Sequence, residues 1–289
     1  VSEIEILLDN RVRLVTAVLA ASNWPMEEQA EKTHAVHPHA KQTRQFVQPF
    51  TGHEAVEGVN QALLNGVLLE ELFSSALRCS WPDFAPQEPF PNLLKIEKWT
   101  ASLADFAVET QIATAFWPDH EAMWQESAAA LRGIFQDRAI LAFLTQLTGR
   151  PFAEQVYVMP NLVYPALHPV LASTSQMLLL LLPPPKAVGE SPPWPYDEDA
   201  GWVVAAVCNQ LVTRLMADLL APLDKDARKL FQLAATTLCL ETTMDEFEAQ
   251  AYLVRKKKEE KQPELPAMVE RLRGYMAAAE KPDFMTLFG

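Results

Sequence analysis

Glycine is scarce in this chain, 9 residues of 289. Neither GxGxxG nor GxxxxGK[ST] occurs, so the Gly-rich turns that let a backbone approach phosphates are missing and the commonest nucleotide-binding folds are excluded. Cysteine is scarcer still. Cys79, Cys208 and Cys239 are odd in number, far apart and without a CxxC, so neither a disulfide framework nor a thiolate zinc site is expected. Cys208 and Cys239 fall in apolar helical stretches and read as small core residues. Long apolar runs are absent too: a run such as Met177 to Leu182 is far short of a bilayer span. No basic segment leading into an apolar one opens the chain, so a cytoplasmic location is the default, although Val1 leaves a processed start open.

Positive charge is in deficit, with 24 Lys+Arg against 37 Asp+Glu and a net charge of −13. Phosphate neutralisation needs clustered Lys and Arg, which argues against nucleic acid and against anionic membrane surfaces as partners. One basic run, Arg255-Lys256-Lys257-Lys258, is followed at once by Glu259 and Glu260 and reads as a solvated helix end.

What is present is helical periodicity with a little strand. Glu3 to Leu7 alternates as a short strand, and Leu14, Val15, Val18 and Leu19 then recur at helical spacing. Helices are expected over 38–47 and through Val56, Val59, Leu63, Leu64 and Val67, followed by a proline-bearing loop over 80–92. Helices over about 93–116 and 119–148 come next, then strands at Gln155–Met159 and Met177–Leu182, and helices over about 200–221, 225–258 (with a break near Thr242-Thr243) and 264–280. The expected class is therefore mostly α, of the α+β kind, a helical domain with one small β-sheet. Residues 1–182 form a first region and 183–199 a Pro-rich connector or surface loop, stiff and extended. Residues 200–289 form a helical C-terminal region that could pack with the first as one compact domain.

Histidine is the first candidate chemistry. His34, His37 and His39 cluster, with His53 further on, and imidazole is the commonest zinc ligand. Their spacing fits no single helical face, Pro38 interrupts them, and no acid at ligand spacing accompanies them; an exposed polar loop entering a helix is the alternative. No GxSxG elbow and no Cys or Ser beside a His points to a nucleophile.

The segment around Asn209 is more informative. Asn209, Gln210 and Thr213 place polar residues at i, i+1 and i+4 of an apolar helix, the layout of HExxH, in which two histidines one turn apart bind zinc and the intervening Glu polarises water. Glu241 follows on the next long helix, with Asp245 four residues beyond. This pattern resembles the gluzincins, the HExxH…E branch of the zincin metallopeptidases. The layout of the chain, with Phe116-Trp117-Pro118-Asp119-His120 and Thr148-Gly149-Arg150-Pro151-Phe152, is similar to uncharacterised bacterial members. The resemblance implies a zincin-like architecture in which Asn209 and Thr213 stand at the histidine ligands, Gln210 at the general base, and Glu241 and Asp245 on the third-ligand helix. Amide and hydroxyl groups are poor zinc ligands, and Gln210 cannot take a proton from water. The resemblance thus implies a pseudo-peptidase without metal or other cofactor, binding a protein or peptide partner along a sheet edge. Two other readings stand beside it: an unrelated helical interaction protein, and a metal-dependent hydrolase using the His34, His37, His39 and His53 region.

Overall fold

The computed structural model describes residues 4–24, 36–90, 98–149, 153–163, 169–185, 193–278, 280 and 283–288. Among these the chain is mostly helical with one small mixed sheet of four strands, an α+β arrangement. It divides into two units that interleave in sequence, Glu5–Gly133 with Glu154–Glu198, and Val1–Ile4 with Ile134–Ala153 and Asp199–Gly289.

The first unit begins with β1 (Glu5–Ile6) and α1 (Asn10–Ala21). Asp9 caps α1, its carboxylate accepting from Arg11 N at 2.9 Å and Val12 N at 3.4 Å. Every residue from Val12 to Ala21 is buried, so α1 is enclosed on all sides and not on one apolar stripe. Around it pack α2 (Pro38–Val47), α3 (Glu54–Leu64), α4 (Leu69–Leu77) and α5 (Trp99–Thr110). Proline at the first position of α2 costs nothing, because that N–H has no intrahelical partner. The single helix expected to run to about residue 116 ends at Thr110: Gln111 has φ +50°, and a short α6 (Ile112–Ala115) follows. Next comes α7 (Trp117–Phe135), with Pro118 in its first turn.

The strands β2 (Gln155–Pro160), β3 (Val170–Ser173) and β4 (Met177–Leu182) complete the sheet in the order β1-β2-β4-β3. β1–β2 and β2–β4 are parallel, whereas β3 returns antiparallel to β4 with Val170 opposite Leu181. The continuous apolar run of β4 suits a strand buried on both faces. α4 packs on β3, and Ser173 N donates to Ser74 Oγ at 2.9 Å.

Of the Pro-rich segment, residues 186–192 lie outside the described residues; the flanking positions are tied down. Trp194 N donates to Pro185 O at 2.9 Å, closing the ends of the segment on each other. Buried Tyr196 donates its hydroxyl to Leu182 O at 2.6 Å and accepts from Asn161 N at 3.2 Å. Asn161 N also donates to Leu182 O at 2.8 Å. The described stretch 193–199 is thus a loop pinned where β2 and β4 end.

The second unit is helical, with α8 (Ile140–Thr148), α9 (Ala200–Leu215), α10 (Ala217–Leu220), α11 (Lys225–Thr243), α12 (Glu246–Glu259) and α13 (Leu265–Ala277). α11 is its centre, packed against α8, α9, α12 and α13. Its buried Thr236 and Thr237 hydroxyls bond back to Gln232 O (2.8 Å) and Leu233 O (2.9 Å), which satisfies them within the helix. Where one helix was expected over 119–148, Asp137 takes φ +60° and separates α7 from α8; Gly149, at φ +72°, ends α8. The break expected near Thr242-Thr243 lies between α11 and α12. The basic run forms the end of α12, where Lys256 pairs with Glu259 at 2.8 Å. All three cysteines are buried and free, and burial pushes the Cys208 thiol up. No helix among the described residues is long and apolar enough to cross a membrane.

Candidate functional site

The residues singled out by the HExxH-like spacing lie on three elements of the second unit. Asn209, Gln210 and Thr213 are on α9, the first two half-buried and the third exposed. Thr213 Oγ1 donates to Asn209 O at 2.8 Å and accepts from Gln232 Nε2 at 3.0 Å, which sets Gln232 of α11 beside it. Glu241 is nine residues further along α11, about 13.5 Å at 1.5 Å per residue. Its carboxylate is gripped by both terminal nitrogens of Arg273, with Nη2–Oε2 at 3.0 Å. Asp245 caps α12 by accepting from Glu248 N at 2.9 Å. Asn209 and Thr213 are thus brought together, Glu241 is not brought to them, and three of the five have structural partners.

The histidines of the alternative metal group are similarly occupied. His34 lies outside the described residues. His37 caps α2, its Nδ1 accepting from His39 N at 3.2 Å, and His53 caps α3, its Nδ1 accepting from Ala55 N at 3.0 Å. His39 is a core residue, 1% exposed. Among the described residues no three His, Cys, Asp or Glu side chains are placed to hold a metal ion.

Two clefts open on the first unit. The larger, about 380 Å³, runs past Trp24, Leu64 and Leu68, and two polar groups beside it already pair, Asn23 N donating to Asn60 Oδ1 at 2.9 Å. The other, about 350 Å³, is at the carboxyl ends of the parallel strands β2 and β4, where open α/β sheets commonly bind ligands. Leu162 and Pro184 continue from those strands, Met123, Glu126, Ser127 and Ala130 come from α7, and the pinned loop adds Trp194 and Asp197. Its volume is within the range of small-ligand sites, and the combination of apolar walls with a few polar groups is the usual lining.

His37, Ser127 and Asp197 line this second cleft together, and that trio invites comparison with a nucleophilic triad. The hydrogen bond at His37 rules the triad out. Because Nδ1 accepts a backbone N–H, the neutral ring carries its proton on Nε2, so Nε2 can donate but cannot take a proton from Ser127. Burial also lowers the His37 pKa from its ordinary value, which keeps the ring neutral near pH 7. The cleft therefore offers an imidazole and two carboxylates, and His37 cannot serve as the base toward Ser127.

Behind the cleft, a neighbouring face of α7 is locked to α1 and α2. Trp124 Nε1 donates to His39 Nε2 at 3.0 Å, and the His39 ring stacks on Phe116 with centroids 5.7 Å apart. His120 lies 4.9 Å from His39 between ring centroids and bonds through Nδ1 to Phe116 O at 2.9 Å. Burial first, then the nearby His120, His37 and Arg13, push the His39 pKa down to about 3; Gln42 gives only a weak opposing contact. Arg13, 5% exposed, has its guanidinium carbon 4.4 Å from the Trp117 ring centroid and 4.7 Å from that of Trp124. Arg13 Nη1 donates to Glu121 Oε2 at 3.0 Å, while Nε and Nη2 have no hydrogen-bond acceptor among the described residues and lie against the indole faces instead. Burial lowers the Arg13 pKa and Glu121 opposes the shift. This cluster fixes the helix that supplies one wall of the cleft, so the wall is set before any ligand arrives.

Sequence reading found His37 and His39 but not Arg13, Trp124, Glu126, Trp194 or Tyr196. A signal was available for two of them: Arg13 interrupts the apolar run Val12 to Ala21, and Trp194 is an aromatic inside a proline-rich loop. Compared with protein-family models, curated proteins and solved structures, the chain matches none.

Proposed function

We propose that this chain is a non-catalytic polypeptide-binding protein whose site is the cleft at the carboxyl ends of β2 and β4. The supporting observation is the cleft itself, a concave and largely apolar site at the end of a parallel sheet pair. Its one imidazole is tied into the wrong tautomer for general-base catalysis. Apolar walls suit side chains, and the His37 Nε2–H suits a main-chain carbonyl. Descent from a gluzincin-type peptidase, with its zincin-like architecture, is a separate proposal that rests on the Asn209, Gln210 and Thr213 spacing alone. The binding role stands without it, because the cleft belongs to the other unit.

The test is selection from a random dodecapeptide library on the full chain, followed by calorimetry against wild type and Trp194→Ala. Selected peptides are expected to lose about tenfold in affinity with the variant, the 1.4 kcal/mol of one aromatic contact. They should also keep their intact mass after overnight incubation. Equal binding to both proteins, or cleavage of the peptides, would overturn the proposal.

A further inference from the structure

From the chemistry of the cleft rim we infer that the polypeptide enters with a cationic side chain, whose charged head sits between Glu126 and Asp197 and whose stem lies on Trp194. The inference rests on the reading of the cleft as a polypeptide site and names what that site selects. Glu126 and Asp197 are both exposed, and neither forms an ion pair among the described residues. They come from different elements, α7 and the pinned loop, so the cleft itself brings two unpaired carboxylates to one concavity. No Lys or Arg is among its described lining residues.

Trp194 is 40% exposed although it is held at its backbone, Trp194 N donating to Pro185 O at 2.9 Å. A large aromatic surface left open in a fixed position beside two carboxylates is the combination that a guanidinium or ammonium prefers: ring face on one side, anionic oxygens on the other. The remaining walls, Met123, Ala130, Leu162 and Pro184, accept the methylene stem and an apolar neighbour. Polarity within the cleft is ordered, because His37 provides a donor at the N-terminus of α2 and so receives the ligand's carbonyl, leaving the carboxylates for the cation.

Three probes separate the possibilities on the full chain: acetyl-Leu-Arg-Leu-amide, its citrulline counterpart of the same shape without the charge, and butylguanidinium alone. Calorimetry at low salt is expected to give the arginine peptide at least about tenfold tighter binding than the citrulline peptide, one charge-assisted contact's worth. That preference should vanish in the Glu126→Gln/Asp197→Asn double variant, and Trp194→Ala should weaken the arginine peptide further than the citrulline one. Both carboxylates are exposed, so the double variant should keep the wild-type thermal midpoint. Equal affinity for arginine and citrulline peptides, with both weakened by Trp194→Ala, would overturn the cation inference and leave the polypeptide site standing. Butylguanidinium binding as tightly as the tripeptide would keep the cation site and overturn the polypeptide reading. Peptide binding indifferent to Trp194→Ala would overturn both.

Discussion

Acidification should weaken the first unit chiefly through one side chain, His39. Its ring is enclosed by Phe116, His120 and Trp124, with Arg13 and His37 adding positive or potentially positive charge, and its pKa falls to about 3. In the unfolded chain an unperturbed histidine titrates near 6.5. A folded value below the unfolded one means that the unfolded state binds the proton first. The stability associated with neutral His39 is therefore complete above about pH 6.5 and is lost as pH falls toward 3. Each pH unit in that window is worth about 1.36 kcal/mol, so the loss from this residue reaches about 2.7 kcal/mol at pH 4.5. The figure is insensitive to the folded pKa, since any value of about 3.5 or less leaves nearly all native His39 neutral at that pH. His39→Gln keeps an acceptor for Trp124 Nε1 and removes the titration. At pH 7.5 it should cost about 1–3 kcal/mol in lost ring packing. The gap between wild type and variant should then close by about 2.7 kcal/mol by pH 4.5. Urea unfolding followed by tryptophan fluorescence is suited to this unit, because only Trp202 lies outside it. Comparing the two proteins cancels carboxylates common to both. A gap that stays constant across the pH range would refute the assignment of His39 as a neutral core residue.

Other perturbations probe the supports around the cleft and the motif in the second unit. Arg13→Ala should destabilise the first unit by about 2–4 kcal/mol, from two cation–π faces and a buried stem. Glu121→Gln, whose side chain is 43% exposed, should cost under about 1 kcal/mol; the same denaturation series measures both. Tyr196→Phe removes the hydroxyl that bonds Leu182 O and Asn161 N, with an expected loss of about 1–3 kcal/mol. The loosened loop should weaken peptide binding in parallel, and unchanged affinity would show that the loop does not shape the cleft. Asn209→His/Gln210→Glu/Thr213→His should retain no stoichiometric zinc after dialysis, because Glu241 is about two and a half turns away along α11 and closed sites need more than two protein ligands. Zinc retained at one equivalent by elemental analysis would count for the proposed metallopeptidase descent.

Local signals were legible in the amino-acid sequence wherever one covalent neighbourhood decided the structure. The helix expected over 38–47, opened by Pro38, matches α2 in its observed bounds, and the polar pair Thr242-Thr243 marks the break between α11 and α12. The six-residue apolar run at 177–182 predicts β4 as a buried strand. β3 was not legible, since four residues have too short an alternation to distinguish strand from loop until β4 pairs with them. Helix ends at Gln111 and Asp137 were missed for a related reason: each turns on a positive φ in a residue that has no glycine-like preference for it. The functional residues show the same division more sharply. Spacing drew attention to Asn209, Thr213 and Glu241, which share a pattern in sequence but not a place in space. Composition alone set the acidic balance and made a cationic ligand natural. Only tertiary structure decided that His37 lines a cleft, that the Tyr196 hydroxyl ties the chain after the proline-rich stretch to two strand ends, and that an arginine in an apolar helix is enclosed by two indoles. A hydrogen bond between residues distant in the chain selects a loop path, and periodicity along one helix carries no information about which atoms of another element will meet it.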